Sequence, residues 1–276
     1  MQAPELDRRL QIVREITQAA GEVVLQYYDE RVAITWKAPG DPVTVADQAA
    51  NELILAQLQR HFPGEAVLSE ESSDDMSRLG ADLFWVVDPL DGTKEFIKRN
   101  GEFSIMAGMI ENGRPALGVV GQPATKFLYS GAEGLGAWLS TPRGEQVLRV
   151  SVLAESSQLR MVASRSHFDP RVDRVRQRLG IHEILRSGSV GLKCGLIARG
   201  DCEVYVHPSS RVNLWDSCGP AAILAAAGGK MTDMRGETLN YSGIDVRHRH
   251  GLLATHGRLH EKVVETLASE GVKVDG

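Results

Sequence analysis

The densest chemistry lies in Trp85-Val86-Val87-Asp88-Pro89-Leu90-Asp91-Gly92-Thr93, where an apolar run ends in two carboxylates three residues apart. Pro89 fixes its own φ and removes a donor, and Gly92 permits a backbone conformation that other residues resist. Together they could turn Asp88, the Leu90 carbonyl and Asp91 toward one point, an all-oxygen set that suits a hard cation such as Mg²⁺. The same residues would also make an Asx-type turn with solvated aspartates. Upstream, Val67-Leu68-Ser69-Glu70-Glu71-Ser72 again sets carboxylates directly after an apolar run, as a solvated loop also would. Two carboxylates about 4 Å apart repel by about 4 kcal/mol at an effective dielectric near 20. A site gathering Glu70, Asp88 and Asp91 would therefore bind a metal, take up protons or come apart.

Two further loci carry the same ambiguity. Asp216, in Asn213-Leu214-Trp215-Asp216, stands where a helix N-cap belongs. A ligand there would also profit from the helix dipole in binding phosphate. Thr44 and Asp47 have capping-box spacing. The alternative has Asp47 accepting a hydrogen bond from the Thr93 hydroxyl, so that Thr93 is oriented to take a proton from a water on the metal. His248, His250, His256 and His260 could in principle bind a transition metal, but an exposed loop is the expectation for the His248-Arg249-His250 stretch. Cys194, Cys202 and Cys218 show no CxxC spacing, which predicts neither a disulfide framework nor a zinc site. They read as small, partly buried thiols in a reducing cytoplasm.

The elements that must position these residues follow from periodicity. Leu6, Leu10, Val13, Ile16, Ala20, Val24 and Tyr27 recur at helical spacing. After a Gly40-Asp41-Pro42 turn, a second helix is predicted from about Val45 to Arg60. Strands are predicted at Ala66–Ser69, Leu83–Val87, Phe103–Ile110, Ala116–Val120, Lys126–Tyr129 and Gly136–Leu139, with an Asn-Gly hairpin signal at Asn112-Gly113. The loop at 140–144 is a candidate boundary between an N-terminal α+β half (1–142) and a C-terminal α/β half (143–276). Beyond it strands are predicted at Arg160–Ala163, Glu203–Val206, Lys230–Thr232 and Gly251–Ala254. Helices are predicted at about Pro170–Leu179, Val190–Arg199, Ser217–Ala227 and Arg258–Glu270. Helices, then an antiparallel sheet, then an alternating region suggest two α/β layers sharing a cleft.

Composition bounds the function. The 276 residues are 42% hydrophobic and 24% charged, which excludes disorder, collagen and long coiled coil. A net charge of −5 with 5% aromatics disfavours a nucleic-acid binder. No apolar run approaches the roughly 18–20 residues of a membrane span, and the charged N-terminus is unlike a secretory signal. A cytoplasmic enzyme is expected, with peripheral inner-membrane association left open.

The blocks VTVAD (43–47), LSEES (68–72), DPLDGTKEF (88–96) and NLWDSCGPAAILAAAGGKMTD (213–233), in this order, resemble a known family. It comprises the lithium-sensitive, magnesium-dependent phosphatases that include inositol monophosphatase, fructose 1,6-bisphosphatase and the 3′(2′),5′-bisphosphate nucleotidases. Lys94-Glu95-Phe96, Ser164-Arg165-Ser166-His167 and Gly188-Ser189-Val190-Gly191-Leu192-Lys193 look like the bisphosphate nucleotidase, or CysQ-type, branch. The resemblance implies a layered αβαβα sandwich with the active site between its halves. It implies two Mg²⁺, one held by Glu70, Asp88 and the Leu90 carbonyl and one by Asp88, Asp91 and Asp216, with Glu70 available to a further, loosely held ion. Ser164, His167, Gly188, Ser189 and Lys193 would hold the nucleotide end, and the Gly92 and Thr93 amides the phosphate.

The implied reaction is metal-assisted hydrolysis of a phosphate monoester, with Thr93 and Asp47 orienting and deprotonating the attacking water and Glu70 helping to place it. The implied substrate is 3′-phosphoadenosine 5′-phosphate, cut to AMP and phosphate, a small nucleotide rather than a nucleic-acid polymer. Lys94, Lys98, Arg99 and Lys193 could offset the acidity around it. An inositol or sugar phosphate phosphatase is the alternative within the family, and an idle regulatory relative the alternative outside catalysis. A homodimer is compatible with the sequence.

Overall fold

The computed structural model describes residues 1–28, 34–38, 41–155, 158–166 and 169–274. The N-terminal helix α1 (Ala3–Tyr28) is followed by a hairpin of β1 (Ile34–Ala38) and β2 (Asp41–Thr44), then α2 (Val45–His61). Seven strands form the first sheet: β3 (Ala66–Ser69), β4 (Leu83–Asp91), β5 (Ser104–Glu111), β6 (Arg114–Gln122), β7 (Phe127–Ala132), β8 (Gly136–Thr141) and β9 (Gly144–Val147). They lie in sequence order; β3 and β4 run parallel and every later pair antiparallel. The short helix α3 (Thr93–Ile97) follows β4. The second sheet holds β10 (Arg160–Ser164), β11 (Glu183–Ser187), β12 (Val204–His207), β13 (Lys230–Thr232) and β14 (Leu252–Thr255) in the order β11-β10-β12-β14-β13. Between its strands run α4 (Pro170–Arg178), α5 (Val190–Ala198) and α6 (Leu214–Ala226), and α7 (His260–Ser269) follows β14.

Strand alternation sorts the core into the expected layers. Along β4, Trp85 and Val87 pack with α1 and α2, whereas Phe84 and Val86 pack with α5 and α6. Along β12 and β14, Tyr205, Leu252 and Ala254 face those same middle helices, while Val204, Val206 and Leu253 face Val172, Val175, Val263 and Leu267 of α4 and α7. Both sheets are covered on two faces, which is why their strands read as near-continuous apolar runs. The order is α1/α2, sheet, α5/α6, sheet, α4/α7.

Most predicted elements are present, with shifted ends. The 140–144 loop is the turn of the β8–β9 hairpin, with Thr141 opposite Gly144, so the first sheet continues to Val147. The strands β1, β2, β9 and β11 were not expected. Helix α6 begins at Leu214, a turn before the prediction, and seats its backbone directly on the sheet. A Cβ at Gly108 would lie 2.5 Å from the Cys218 sulfur and 2.7 Å from the Gly219 nitrogen, and one at Gly118 would overlap the Gly219 carbonyl. Glycines here let α6 approach closely, and that approach carries Asp216 to the edge of the sheet.

Candidate active site

In a regular strand, residues three apart face opposite sides. Asp88 pairs with Met106 and Asp91 with Ser104, so β4 spends two intervening residues where β5 spends one. This bulge returns Asp91 to the face of Asp88, toward the middle helices. Leu90, between them, packs instead on the α1/α2 side. The Leu90 N–H donates to Asp88 Oδ1 at 3.0 Å, so the Asx-type turn and the convergence of the carboxylates coexist. Asp216 joins from the first turn of α6, and one carboxylate oxygen from each of Asp88, Asp91 and Asp216 lies within 4.8 Å of the others.

Each carboxylate is braced. Asp216 Oδ2 accepts the Asn213 N–H at 2.6 Å, closing a capping box. Asp91 Oδ2 accepts the Ser189 hydroxyl at 2.5 Å and the Val190 and Gly191 N–H groups at 2.6 and 3.3 Å, capping α5 from across the layer boundary. Glu70 follows β3, its N–H donating to the Val87 carbonyl at 3.2 Å. Its turn is held from α2: Ser69 donates to Asn51 Oδ1 at 2.6 Å, and Asn51 Nδ2 donates to Ser72 at 3.0 Å. Asn51 sits one helical turn beyond Asp47, a spacing that places both on one side of α2.

Asp88 is 1% exposed. Burial, then the charges of Glu70, Asp91 and Asp216, push its carboxyl well above the usual range. Burial, then Asp91 and Glu70, do the same to Asp216, with Lys193 pulling weakly the other way. Crowded carboxylates with this many oxygens and too little compensating charge form a donor set that fits a hard divalent cation.

Beside the trio, Asp47 is buried and makes both the capping and the Thr93 hydrogen bonds. Its Oδ2 accepts the Thr44 N–H at 2.8 Å and hydroxyl at 2.6 Å, and its Oδ1 accepts the Thr93 hydroxyl at 3.1 Å. The Leu90 carbonyl offers Thr93 a second acceptor at 3.2 Å. Burial raises the Asp47 carboxyl above its ordinary range. Gly92, at φ +93°, starts α3 in a conformation open chiefly to glycine.

The residues expected at the nucleotide end are only partly gathered. Ser189 caps α5, with its hydroxyl 2.6 Å from that of Ser104. Lys193 is buried, its ammonium donating to the Gly188 carbonyl at 2.5 Å and lying 5.0 Å from the Tyr205 ring centre. Burial pulls that ammonium below its ordinary pKa. A Cβ at Gly188 would overlap the Glu102 carbonyl and the Glu95 side chain. Ser164 ends β10, while His167 lies outside the described residues. Sequence reasoning missed Asn51, Ser104 and the clasp of Arg165 on Glu102, two contacts of 2.5 Å. Only Asn51 left a signal, its spacing from Asp47.

The His248-Arg249-His250 stretch is the expected loop, with Arg249 exposed, but its first histidine departs from the expectation. His248 is buried, its Nε2 2.7 Å from the Ser217 hydroxyl, and burial lowers its pKa to about 4. His256 and His260 are buried as well, and the acidic trio is the single metal-capable cluster among the described residues. The three cysteines are free and buried.

Comparison with known proteins agrees with this geometry. The chain matches the Inositol monophosphatase family over residues 5–271. It is 38% identical over 241 residues to the Escherichia coli (strain K12) protein named 3′(2′),5′-bisphosphate nucleotidase CysQ, covering 86% of this chain and 94% of that one. It is 31% identical over 244 residues to the Mycobacterium leprae 3′-phosphoadenosine 5′-phosphate phosphatase, covering 85% and 84%. The crystal structure of CysQ from Bacteroides thetaiotaomicron superposes with a TM-score of 0.78 at 30% identity, over 91% of this chain and 97% of that one. The Thermotoga maritima IMPase superposes with a TM-score of 0.81 at 25% identity, over 96% and 98%. Sequence and fold thus agree over nearly the whole length, and the chain belongs to the inositol monophosphatase family.

Proposed function

We propose that this chain is a Mg²⁺-dependent phosphatase that hydrolyses the 3′-phosphate of 3′-phosphoadenosine 5′-phosphate, giving AMP and phosphate. The observation that carries the chemistry is the convergence of Asp88, Asp91 and Asp216 beside a Thr93 hydroxyl backed by Asp47. The names of the relatives at 38% and 31% identity support the choice of substrate. Glu70, Asp88, the Leu90 carbonyl, Asp91 and Asp216 would hold two Mg²⁺, with Glu70 able to serve a third. Bound there, Mg²⁺ supplies positive charge to phosphate oxygens and acidifies water.

The remaining work falls to the protein. Thr93 donates its proton to Asp47 and so turns a lone pair outward to accept one from the attacking water. Asp47, raised by burial, is a stronger base than a solvated carboxylate. Gly92 and Thr93 offer amides to the phosphate oxygens. On the nucleotide side Ser164, His167 and the Gly188 backbone are the assigned contacts, with Ser189 and Lys193 fixing that wall through Asp91 and Gly188. Three unpaired thiols suit a cytoplasmic location.

The test is phosphate release with Mg²⁺ from 3′-phosphoadenosine 5′-phosphate, inositol 1-phosphate and fructose 1,6-bisphosphate in parallel, with Asp88→Asn as control. The nucleotide should give the highest kcat/KM and the control none. If inositol phosphate or the sugar bisphosphate leads, the choice of substrate is wrong while the metal chemistry survives.

A further inference from the structure

The carboxylates reach the site from different layers: Glu70, Asp88 and Asp91 from the first sheet and its loops, Asp216 from α6. The seating of α6 on the sheet at Gly108 and Gly118 sets Asp216 against Asp88 and Asp91, but Glu70 stands at a loop, and its distance from Asp216 depends on what ties the loop after it to the N-terminus of α6. Arg78 does this. It is 3% exposed, although residues 75–77 beside it are exposed. Its Nε and one terminal nitrogen donate to Asp74 Oδ2 at 3.0 and 2.8 Å, gripping its own loop. Its other terminal nitrogen donates to the Gly243 carbonyl at 2.8 Å, and the first reaches the Ile244 carbonyl at 3.2 Å.

The segment that Arg78 grips is the strap behind α6. The Val246 carbonyl accepts the N–H of Leu214, the first residue of α6, at 2.8 Å. The His248 N–H donates to the Val212 carbonyl at 2.8 Å, and Asn213 bridges to Arg247. The His248 side chain then holds Ser217, next to Asp216. A buried guanidinium that spends four hydrogen bonds on two loops is costly to leave unmatched, so the two loops move together or not at all.

We propose that Arg78 is a positioning residue for metal binding: it fixes the loop that carries Glu70 against the N-terminus of α6 that carries Asp216. This rests on the metal reading of the site given above. Groups that orient ligands without touching the metal typically change affinity by roughly 10–100-fold when replaced. Arg78→Lys keeps the charge but offers a single donor head in place of the planar fork. It should bind Mn²⁺ about tenfold more weakly. The KM for 3′-phosphoadenosine 5′-phosphate at saturating Mg²⁺ should be unchanged, and kcat should recover as Mg²⁺ is raised.

The experiment titrates metal-free protein with Mn²⁺ and follows the free ion by electron paramagnetic resonance, for wild type, Arg78→Lys, Asp74→Asn and Asp88→Asn. Asp74→Asn removes the countercharge facing the guanidinium without truncating Arg78 and should weaken Mn²⁺ in the same direction, so the test stands if Arg78→Lys fails to fold. Wild-type Mn²⁺ affinity in both folded variants, even with lowered thermal stability, overturns the proposal and leaves the metal site standing. Wild-type protein that binds no Mn²⁺ sensitive to Asp88→Asn overturns the metal reading and this proposal with it.

Discussion

Asp47→Asn separates the two jobs that the structure gives to one carboxylate. Oδ2 takes two hydrogen bonds from Thr44, at 2.8 and 2.6 Å, and Oδ1 takes one from Thr93 at 3.1 Å. An asparagine has a single oxygen, and the two stronger contacts claim it. The amide NH₂ then faces Thr93 and donates to it. Thr93 must send its own proton to the Leu90 carbonyl, 3.2 Å away, and has no base to which it can pass it. Because the cap survives and a buried charge is removed, stability should change by less than about 1 kcal/mol, below the cost of deleting a cap outright. A positioned general base is worth about 10²–10⁴ in rate, so kcat should fall by that factor with KM little changed. The assay is steady-state phosphate release by Asp47→Asn, Thr93→Val and the double variant, with urea unfolding of each. Groups that act as one unit give non-additive losses, and the double variant should be no slower than the worse single one. Single losses under tenfold, or losses that multiply, would show that Asp47 only caps α2.

Chelation should abolish activity, and adding Mg²⁺ should raise Tm, by about 2.7 kcal/mol of stability at 100 times Kd. In metal-free protein Asp88 and Asp216 titrate above the usual carboxylate range. Raised pKa values contribute stability that is full below the unfolded-state value and lost as pH rises through the folded-state one. The gap in Tm between Mg²⁺-saturated and metal-free protein should therefore widen as pH rises from the ordinary carboxylate range upward, while His248 and His260, whose lowered pKa values act in the opposite sense, contribute equally to both; a gap that stays constant with pH would refute the assignment. Gly118→Ala pushes a methyl into the Gly219 carbonyl and should cost at least the 1–3 kcal/mol or so of ordinary overpacking, read by urea unfolding; an unchanged midpoint would mean that α6 can slide.

What the sequence made legible was what local pattern encodes. The α2 start is written in Thr44 and Asp47, and the buried strand β4 in its unbroken apolar run. The carboxylates of the site could be named, because apolar runs that end in acid are conspicuous. Their convergence could be expected from the Pro-Gly turn and from the family resemblance, but its cause could not be read, since it depends on a register shift against β5 and on glycines of two strands that admit α6. The strand β9, exposed throughout, has no inward face to set an alternation, and β1 and β11 are short and partly polar. His248 read as exposed because the partners that bury it, Ser217 and Tyr241, lie elsewhere in the chain. At Asp47 and Asp88 a local cap or turn and a place in the candidate site are not alternatives: Asp47 bonds both Thr44 and Thr93, and Asp88 both accepts the Leu90 N–H and stands in the acidic cluster.

The bulge in β4 has a consequence for how this segment can vary. Asp88 and Asp91 share a face only because one residue too many lies between them for the pairing with β5. Exchanging Leu90 for another apolar side chain of similar size preserves that frame, since its carbonyl rather than its side chain belongs to the site. Removing one residue between the aspartates would restore regular pairing and relax the strand. Asp88 and the shifted aspartate would then stand two apart on one face, but every later residue would be pulled back by one position, drawing Thr93 away from Asp47 and the helix that follows out of place. An inserted residue would turn Asp91 away from Asp88. The four positions 88–91 therefore work as a spacer whose length is stricter than its lettering.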